Sequence, residues 1–240
     1  MSFSFLVLSE GGLVQSEGIS DQENYFTDDF TPFMALQKWK GYQPIKFVEV
    51  FPAAKIAEPD SFLFFMSTDD PHGWASNFHV EKNGYCSDGL QFLTSEHHLM
   101  FLKAQVFKDT KIMARILEAG TPREAKKLGR QVSPYDEDTW SVFRYRSLYK
   151  ALMRKFLAAP RLAQLLLKTG DKFLVEAADF DSKFGIGLSK FSCEIHRGCK
   201  IRATSEFDVE PHNWLGENML GIALMEVRSN LKQVTKSELK

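Results

Sequence analysis

Between Thr94 and Gly170 the chain carries helix start and stop signals so closely spaced that little besides a succession of helices fits between them. Thr94 or Ser95 can cap a helix running to about Phe107, because a short polar side chain accepts from the free N–H groups of a first turn. Asp109 caps a second helix, which ends at Gly120. Thr121-Pro122-Arg123-Glu124 has capping-box spacing with proline at the first helical position, and Gly129 stops that short helix. A long helix is expected from about Asp138 to Ala158, and Pro160 opens another that ends near Gly170. A last helix, from Leu215 to about Val234, sets Leu220, Leu224, Val227 and Leu231 on one stripe. Strands are few and short. Phe62-Leu63-Phe64-Phe65-Met66 reads as a fully buried strand, and Phe173–Ala177 is strand-like. Phe3–Leu8 and Ile45–Phe51 are β-rich, with an acidic stretch, Asp21–Asp29, between them. Residues 182–212 are rich in Gly, Ser and charge and read as an irregular connection. The expected fold class is mainly α with a few short β-strands. Residues 61–235 form a single helical domain, and residues 1–60 are a β-containing extension packing on it.

The 240 residues suffice to bury a core without disulfides or metals. A formal net charge of -1 gives no global field toward nucleic acid or an anionic membrane, so any anion must be held by a local group of basic residues. Three cysteines, Cys86, Cys193 and Cys199, are too few and too odd in number for a disulfide framework. The opening MSFSFLVLSEGG lacks a basic leader, and its apolar run is too short for a signal peptide or a membrane span. The expected location is therefore cytoplasmic or nuclear, with no membrane partner.

Glu96 and Lys103 are the pair with the most chemical promise. Seven residues on a helix turn through about 700°, so both side chains share one face, about 10 Å apart along the axis. Glu96 lies in the first turn, where the helix dipole favours a carboxylate. A bare pair at this spacing is also what a dipole-satisfying Glu and a surface Lys would give. Cys193-Glu-Ile-His196-Arg-Gly-Cys199 looks like half a zinc site, with His212 as a distant fourth ligand, but the spacing matches no established motif and no metal is expected. His97 and His98 are adjacent, point about 100° apart on a helix and do not chelate one ion easily. Gly185-Ile-Gly187 lacks the third glycine of a dinucleotide fingerprint. Lys126, Lys127, Arg130, Arg144, Arg146, Arg154 and Lys155 are candidates for phosphate contact, or ordinary solvated helix charge.

Taken in order, several segments resemble the NADAR (YbiA-like) family. Phe65-Met66-Ser67 with Trp74-Ala75-Ser76-Asn77-Phe78 resembles its opening block, and Thr94-Ser95-Glu96-His97 with Lys103-Ala104 resembles its "TSEH" helix. Thr121-Pro122, Ala125 to Arg130, Trp140 and Lys155-Phe156 keep the family order. Leu174-Val175-Glu176-Ala177, Asp181 and Phe184-Gly185-Ile186-Gly187 form a further block. Trp214-Leu215-Gly216-Glu217-Asn218, then Leu220-Gly221, Leu224-Met225 and Arg228, form the last. The likeness spans about Phe64 to Leu231.

The resemblance implies a YbiA-like helical domain that cleaves N-glycosidic bonds without a cofactor. It implies catalytic roles for Glu96, as proton carrier, and Lys103, as nucleophile toward a ribose C1. It also implies substrate contacts from Asn77, Arg130, Trp140, Asp181, Phe184, Gly185 and Asn218. The expected partner is an ADP-ribose-containing nucleotide or ADP-ribosylated nucleic acid, with ADP-ribose removed from guanine. The alternatives are an N-glycosidase of riboflavin-biosynthesis intermediates, and an ADP-ribose or NAD binding module without turnover. Phe184 stands where the family usually has Trp, and Met100-Phe101-Leu102 make the Glu96 helix more apolar than usual.

Overall fold

The helix signals predict local capping events, and the computed structural model shows most of the caps in place. It describes residues 5–9, 12–16, 61–188 and 214–238. The chain separates into two units, Met1–Tyr42 and Gln43–Lys240. In the first, strands β1 (Phe5–Ser9) and β2 (Gly12–Ser16) form an antiparallel pair with Phe5 opposite Ser16. The expected strand Ile45–Phe51 and the segment with Cys193, His196, Cys199 and His212 lie outside the described residues.

The second unit holds β3 (Phe62–Phe65), β4 (Tyr85–Ser87), β5 (Leu90–Phe92) and β6 (Phe173–Glu176). Its six described α-helices are α1 (Ser95–Val106), α2 (Thr110–Glu118), α3 (Pro122–Gly129), α4 (Glu137–Ala158), α5 (Pro160–Lys168) and α6 (Met219–Glu238). Thr94 caps α1, accepting from the His97 N–H, and Asp109 caps α2, accepting from Ile112. The Thr121 hydroxyl accepts from Glu124 N–H at the start of α3, while the Glu124 carboxylate reaches back to Gly120 N–H at 3.1 Å. The capping box thus closes one residue earlier than its spacing implies.

Helix α1 is the centre of the unit and packs against α2, α3 and α4. Ten of its twelve residues are buried, so it is a largely interior helix, and Glu96 is an interior carboxyl. Its own Leu99 is fully buried, as are Phe92, Phe143, Ile116, Leu148 and Leu152 of the neighbouring segments. The crossing with α3 is close. A Cβ on Gly129 would overlap the Met100 side chain. Gly129 lies inside the last turn of α3, with Arg130 at the C-cap, so its place is set by helix contact rather than by chain reversal.

Strands β3 and β6 pair in parallel, with Phe65 opposite Glu176. Strands β4 and β5 form a short hairpin absent from the sequence-based expectation; Asp88 and Gly89 turn it with φ of 53° and 76°, as a primed turn requires. Helix α6 starts four residues later than expected. Asn218 has φ 51°, which breaks a helix, and the segment before it is drawn onto the 182–187 loop. Gly216 N–H donates to Ile186 at 2.8 Å and Asn218 N–H to Gly185 at 3.1 Å; Met219 and Leu220 then donate to Lys183 and Phe184. The loop's carbonyls thereby serve as the N-cap of α6. The stripe Leu220, Leu224, Val227, Leu231 is buried as expected.

Candidate active site

Two tethers fix the start of α1. From one side, the loop after a single 3₁₀ turn (Gly73–Ala75) brings Asn77 against the helix. Glu96 N–H donates to Asn77 O at 3.1 Å, and the Ser95 hydroxyl lies 3.0 Å from Asn77 Oδ1. That loop is itself held by Lys155 of α4, whose buried ammonium donates to the carbonyls of Trp74 and Ser76, each at 2.9 Å. Burial pushes the Lys155 amine down to about 7. From the other side, His97 bridges Thr94 Oγ1 and Ala119 O, at 2.8 and 3.1 Å. His98 stacks on Phe92 with ring centroids 4.2 Å apart and meets the Tyr85 hydroxyl at 3.2 Å. Both histidines are thus structural, and burial drives His98 down to about 3.

Glu96 is 3% exposed. Burial raises its carboxyl to about 7; the Lys126 and Arg130 charges oppose this and the Asp181 charge adds to it. A second carboxyl stands in the same field. Glu176, the last residue of β6, is raised to about 8 by burial and by Asp181 and Glu96, against the pull of Lys126. Among the described residues, Glu176 Oε2 and Ser147 Oγ are the two buried side-chain polar atoms without a hydrogen-bond partner. Lys126 bridges the group, with its ammonium 3.5 Å from Asp181 Oδ2 and 5.6 Å from the Phe78 ring centre.

Main-chain support lies directly behind Glu176. Asn218 Oδ1 accepts from Glu176 N–H at 3.0 Å, and Asn218 Nδ2 donates to Leu174 O at 2.9 Å. Ile186 N–H donates to Glu176 O at 2.9 Å. A Cβ on Gly185 would stand 2.9 Å from that same carbonyl. Asp181 Oδ1 accepts from the N–H groups of Lys183 and Phe184, which shapes the loop. Asn218 and Gly185 therefore position β6 and the loop rather than offering free polar groups to a ligand.

Lys103 sits two turns along α1 among different neighbours. Its ammonium is 4.3 Å from the Tyr135 ring centre and 5.9 Å from that of Trp140. Burial lowers its amine, the Arg144 and Arg130 charges lower it further, and Glu137 works the other way. Arg144 is paired with Glu137 and lies over Trp140. Among the residues expected from sequence, the structure joins Glu96 with Asp181, and Lys103 with Trp140. Arg130, exposed at the end of α3, is electrostatically close to both groups. Asn77 supports the Glu96 end, and Phe184 is half-buried on the loop. The basic residues of α4 diverge, since Arg154 and Lys150 reach Asp88 of the hairpin instead. Sequence reasoning gave no role to Glu176 or Tyr135. The signal for Glu176 is a carboxylate closing an apolar strand, which a parallel partner then buries.

Among the described residues no group of His, Cys, Asp and Glu is arranged to hold a metal ion, and no helix is long and apolar enough to cross a membrane. A cavity of about 10 Å³ beside Lys155, His79 and Thr94 has room for about one water and no nucleotide.

The helical domain thus brings a buried carboxyl, Glu96, and a half-buried lysine, Lys103, onto one helix, with a second carboxyl, Glu176, in the same electrostatic field, groups of the kind acid/base chemistry uses. The NADAR domain matches residues 63–232, and the chain belongs to that family. It is 27% identical to an N-glycosidase of Acanthamoeba polyphaga mimivirus, over 73% of this chain and 99% of that protein. Against an N-glycosidase of Nostoc punctiforme the identity is 29%, covering 72% and 94%. The solution structure of Escherichia coli YbiA, 30% identical, superposes with a TM-score of 0.56 over 75% of this chain and 89% of that one. The fold is YbiA-like, and the chain is an enzyme of the N-glycosidase class, a hydrolase of N-glycosyl compounds.

Proposed function

We propose that this enzyme hydrolyses the N-glycosidic bond between guanine and ADP-ribose, in a nucleoside or in nucleic acid, using Glu96 and Lys103. The observation that carries this reading is the setting of Lys103, a half-buried amine whose proton affinity is lowered by burial and by Arg144. Such an amine is free base more often than an exposed lysine, and free base is the form that captures C1 of an opened ribose. Glu96, on the same helix face, ionises near neutrality and is suited to carry protons to and from the sugar. Arg130, Arg144 and Lys126 offer charge for a diphosphate, and Trp140 and Tyr135 offer flat surface for a base or ribose. With a net charge of -1 the contact to nucleic acid is local rather than a broad electrostatic grip. The compartment that suits this substrate is the cytoplasm or nucleus.

The test is incubation with ADP-ribosylated DNA followed by separation of products. Release of ADP-ribose and restoration of unmodified guanine is expected; full retention of the modification at high enzyme concentration would sink the reading. The alternative substrate that the family resemblance implies is a riboflavin-pathway intermediate. Aminouracil ribose phosphates in the same assay decide between the two. A binding module without turnover fits poorly with a family of N-glycosidases and with the presence of both Glu96 and Lys103.

A further inference from the structure

We propose that Glu176 is a second proton carrier of the site, the acid that protonates the departing base while Glu96 acts as the base. The assignment rests on the N-glycosidase reading above, and on three structural observations. First, the fold fixes the Glu176 backbone from every side: Asn218 holds its N–H, Ile186 holds its carbonyl, Phe65 pairs with it across the parallel strands, and Gly185 leaves no slack behind it. Second, the side chain those contacts position is left unsatisfied, with Oε2 buried and unpartnered. A structural carboxyl at such a point is normally hydrogen-bonded, because an orphan buried polar atom costs about 1–3 kcal/mol. Third, the surrounding charges separate the two carboxyls. Lys126 and Asp181 act on both, and the repulsion between the two carboxylates is mutual. Arg130 acts on Glu96 and not on Glu176, so it favours the ionised form of Glu96 alone. That difference assigns the acid to Glu176 and the base to Glu96.

The step balances as a hydrolysis. The C1–N bond breaks with its electron pair going to the base nitrogen, which takes the Glu176 proton. A new bond forms from C1 to oxygen of water, directly or after Lys103 nitrogen has held C1 as an imine. The proton lost by the attacking group goes to Glu96. Return of that proton from Glu96 to Glu176 restores the site, and one water is consumed.

Glu176→Gln keeps the shape and removes the transferable proton. We expect kcat on the natural-type N-riboside to fall about 10²- to 10³-fold, the range of a lost general acid. The fall in kcat/KM at alkaline pH should disappear with it. On a riboside with a pyridinium leaving group, which departs without a proton, Glu176→Gln should keep wild-type rate while Glu96→Gln stays slow. Equal rates for wild type and Glu176→Gln on the natural-type substrate would overturn the proposal. So would an equal loss on both substrates with the alkaline limb intact, the mark of a structural role. In either case the glycosidase reading stands. A wild type inactive on every N-riboside removes that reading itself. Should the Gln variant not fold, Glu176→Asp, which keeps the acid but withdraws it by one methylene, is expected to lose activity on the natural-type substrate only.

Discussion

Burying Glu96 should add a contribution to stability that falls as pH rises, and Glu96→Gln should remove that contribution. The carboxyl moves from an ordinary 4.5 to about 7, which corresponds to about 3 kcal/mol. The sign follows from proton binding. Between pH 4.5 and 7 the folded protein holds a proton on Glu96 that the unfolded chain has already released. The Glu96 contribution to stability therefore declines with rising pH across this window. The contribution is fully present below about 4.5 and lost once pH passes about 7. Glutamine has nothing to titrate, so the stability difference, variant minus wild type, should grow by about 3 kcal/mol between pH 4.5 and 8. Urea denaturation at pH 4.5, 6, 7 and 8 measures it, and the relative midpoint should move by about 1–2 M. The same substitution should abolish turnover, so the variant is more stable at alkaline pH and inactive. Stability curves that run parallel over the whole range would refute the reasoning, because they would show Glu96 ionising in the fold as it does in water.

The remaining expectations are shorter. Borohydride added during incubation with ADP-ribose should leave a covalent adduct on Lys103, located by mass analysis of peptides and absent in Lys103→Ala; no adduct would leave a direct hydrolytic route through the carboxyls. Gly129→Ala should cost about 1–3 kcal/mol, because its methyl group overlaps Met100, and Met100→Ala in the same chain should remove most of that strain, which thermal unfolding of the single and double variants would show. Lys155→Met should cost about 2–4 kcal/mol by stranding the Trp74 and Ser76 carbonyls. It should also lower kcat by loosening Asn77 from Ser95 and Glu96; a variant with lowered stability and unchanged kcat would show that this tether does not reach the site.

Much of the helical frame was legible because caps are local. Thr94, Asp109 and Thr121 each accept from an N–H three residues on, an interaction written entirely within four residues of chain. The buried stripe of α6 was legible for the same reason of period. What escaped was set by distant partners. The β4–β5 hairpin has strands of three residues, too short for alternation to show, although Asp88-Gly89 was its turn signal. The start of α6 was misplaced because Trp214–Asn218 continues an apolar pattern but is claimed by the carbonyls of Gly185 and Ile186. At the site, Glu96 and Lys103 share one helix at a spacing that is ambiguous by itself, and the ordered motif blocks around them marked the pair. Glu176 and Tyr135 arrive from 80 residues and 32 residues further along the chain than Glu96 and Lys103, and no spacing rule connects them.

The same distance explains why the carboxyl pair is built as it is. A helix N-terminus alone would lower the proton affinity of Glu96, since the dipole favours the anion. Here the first-turn N–H groups are already occupied, that of Glu96 by Asn77 O and that of His97 by Thr94 Oγ1. Desolvation is left as the larger effect, and the carboxyl is raised. Glu176 sits at a strand end, where its own main chain is equally occupied by Asn218 and Ile186. In both places the backbone is satisfied by groups that fix position, and at Glu176 the carboxyl oxygen Oε2 is left without a donor. Two proton affinities near neutrality follow from that arrangement, at a stability cost offset by the apolar packing around α1. Lys155 and Asn218, which belong to the tethers rather than to the carboxyl pair, should on this argument influence the pH profile of the enzyme as well as its stability.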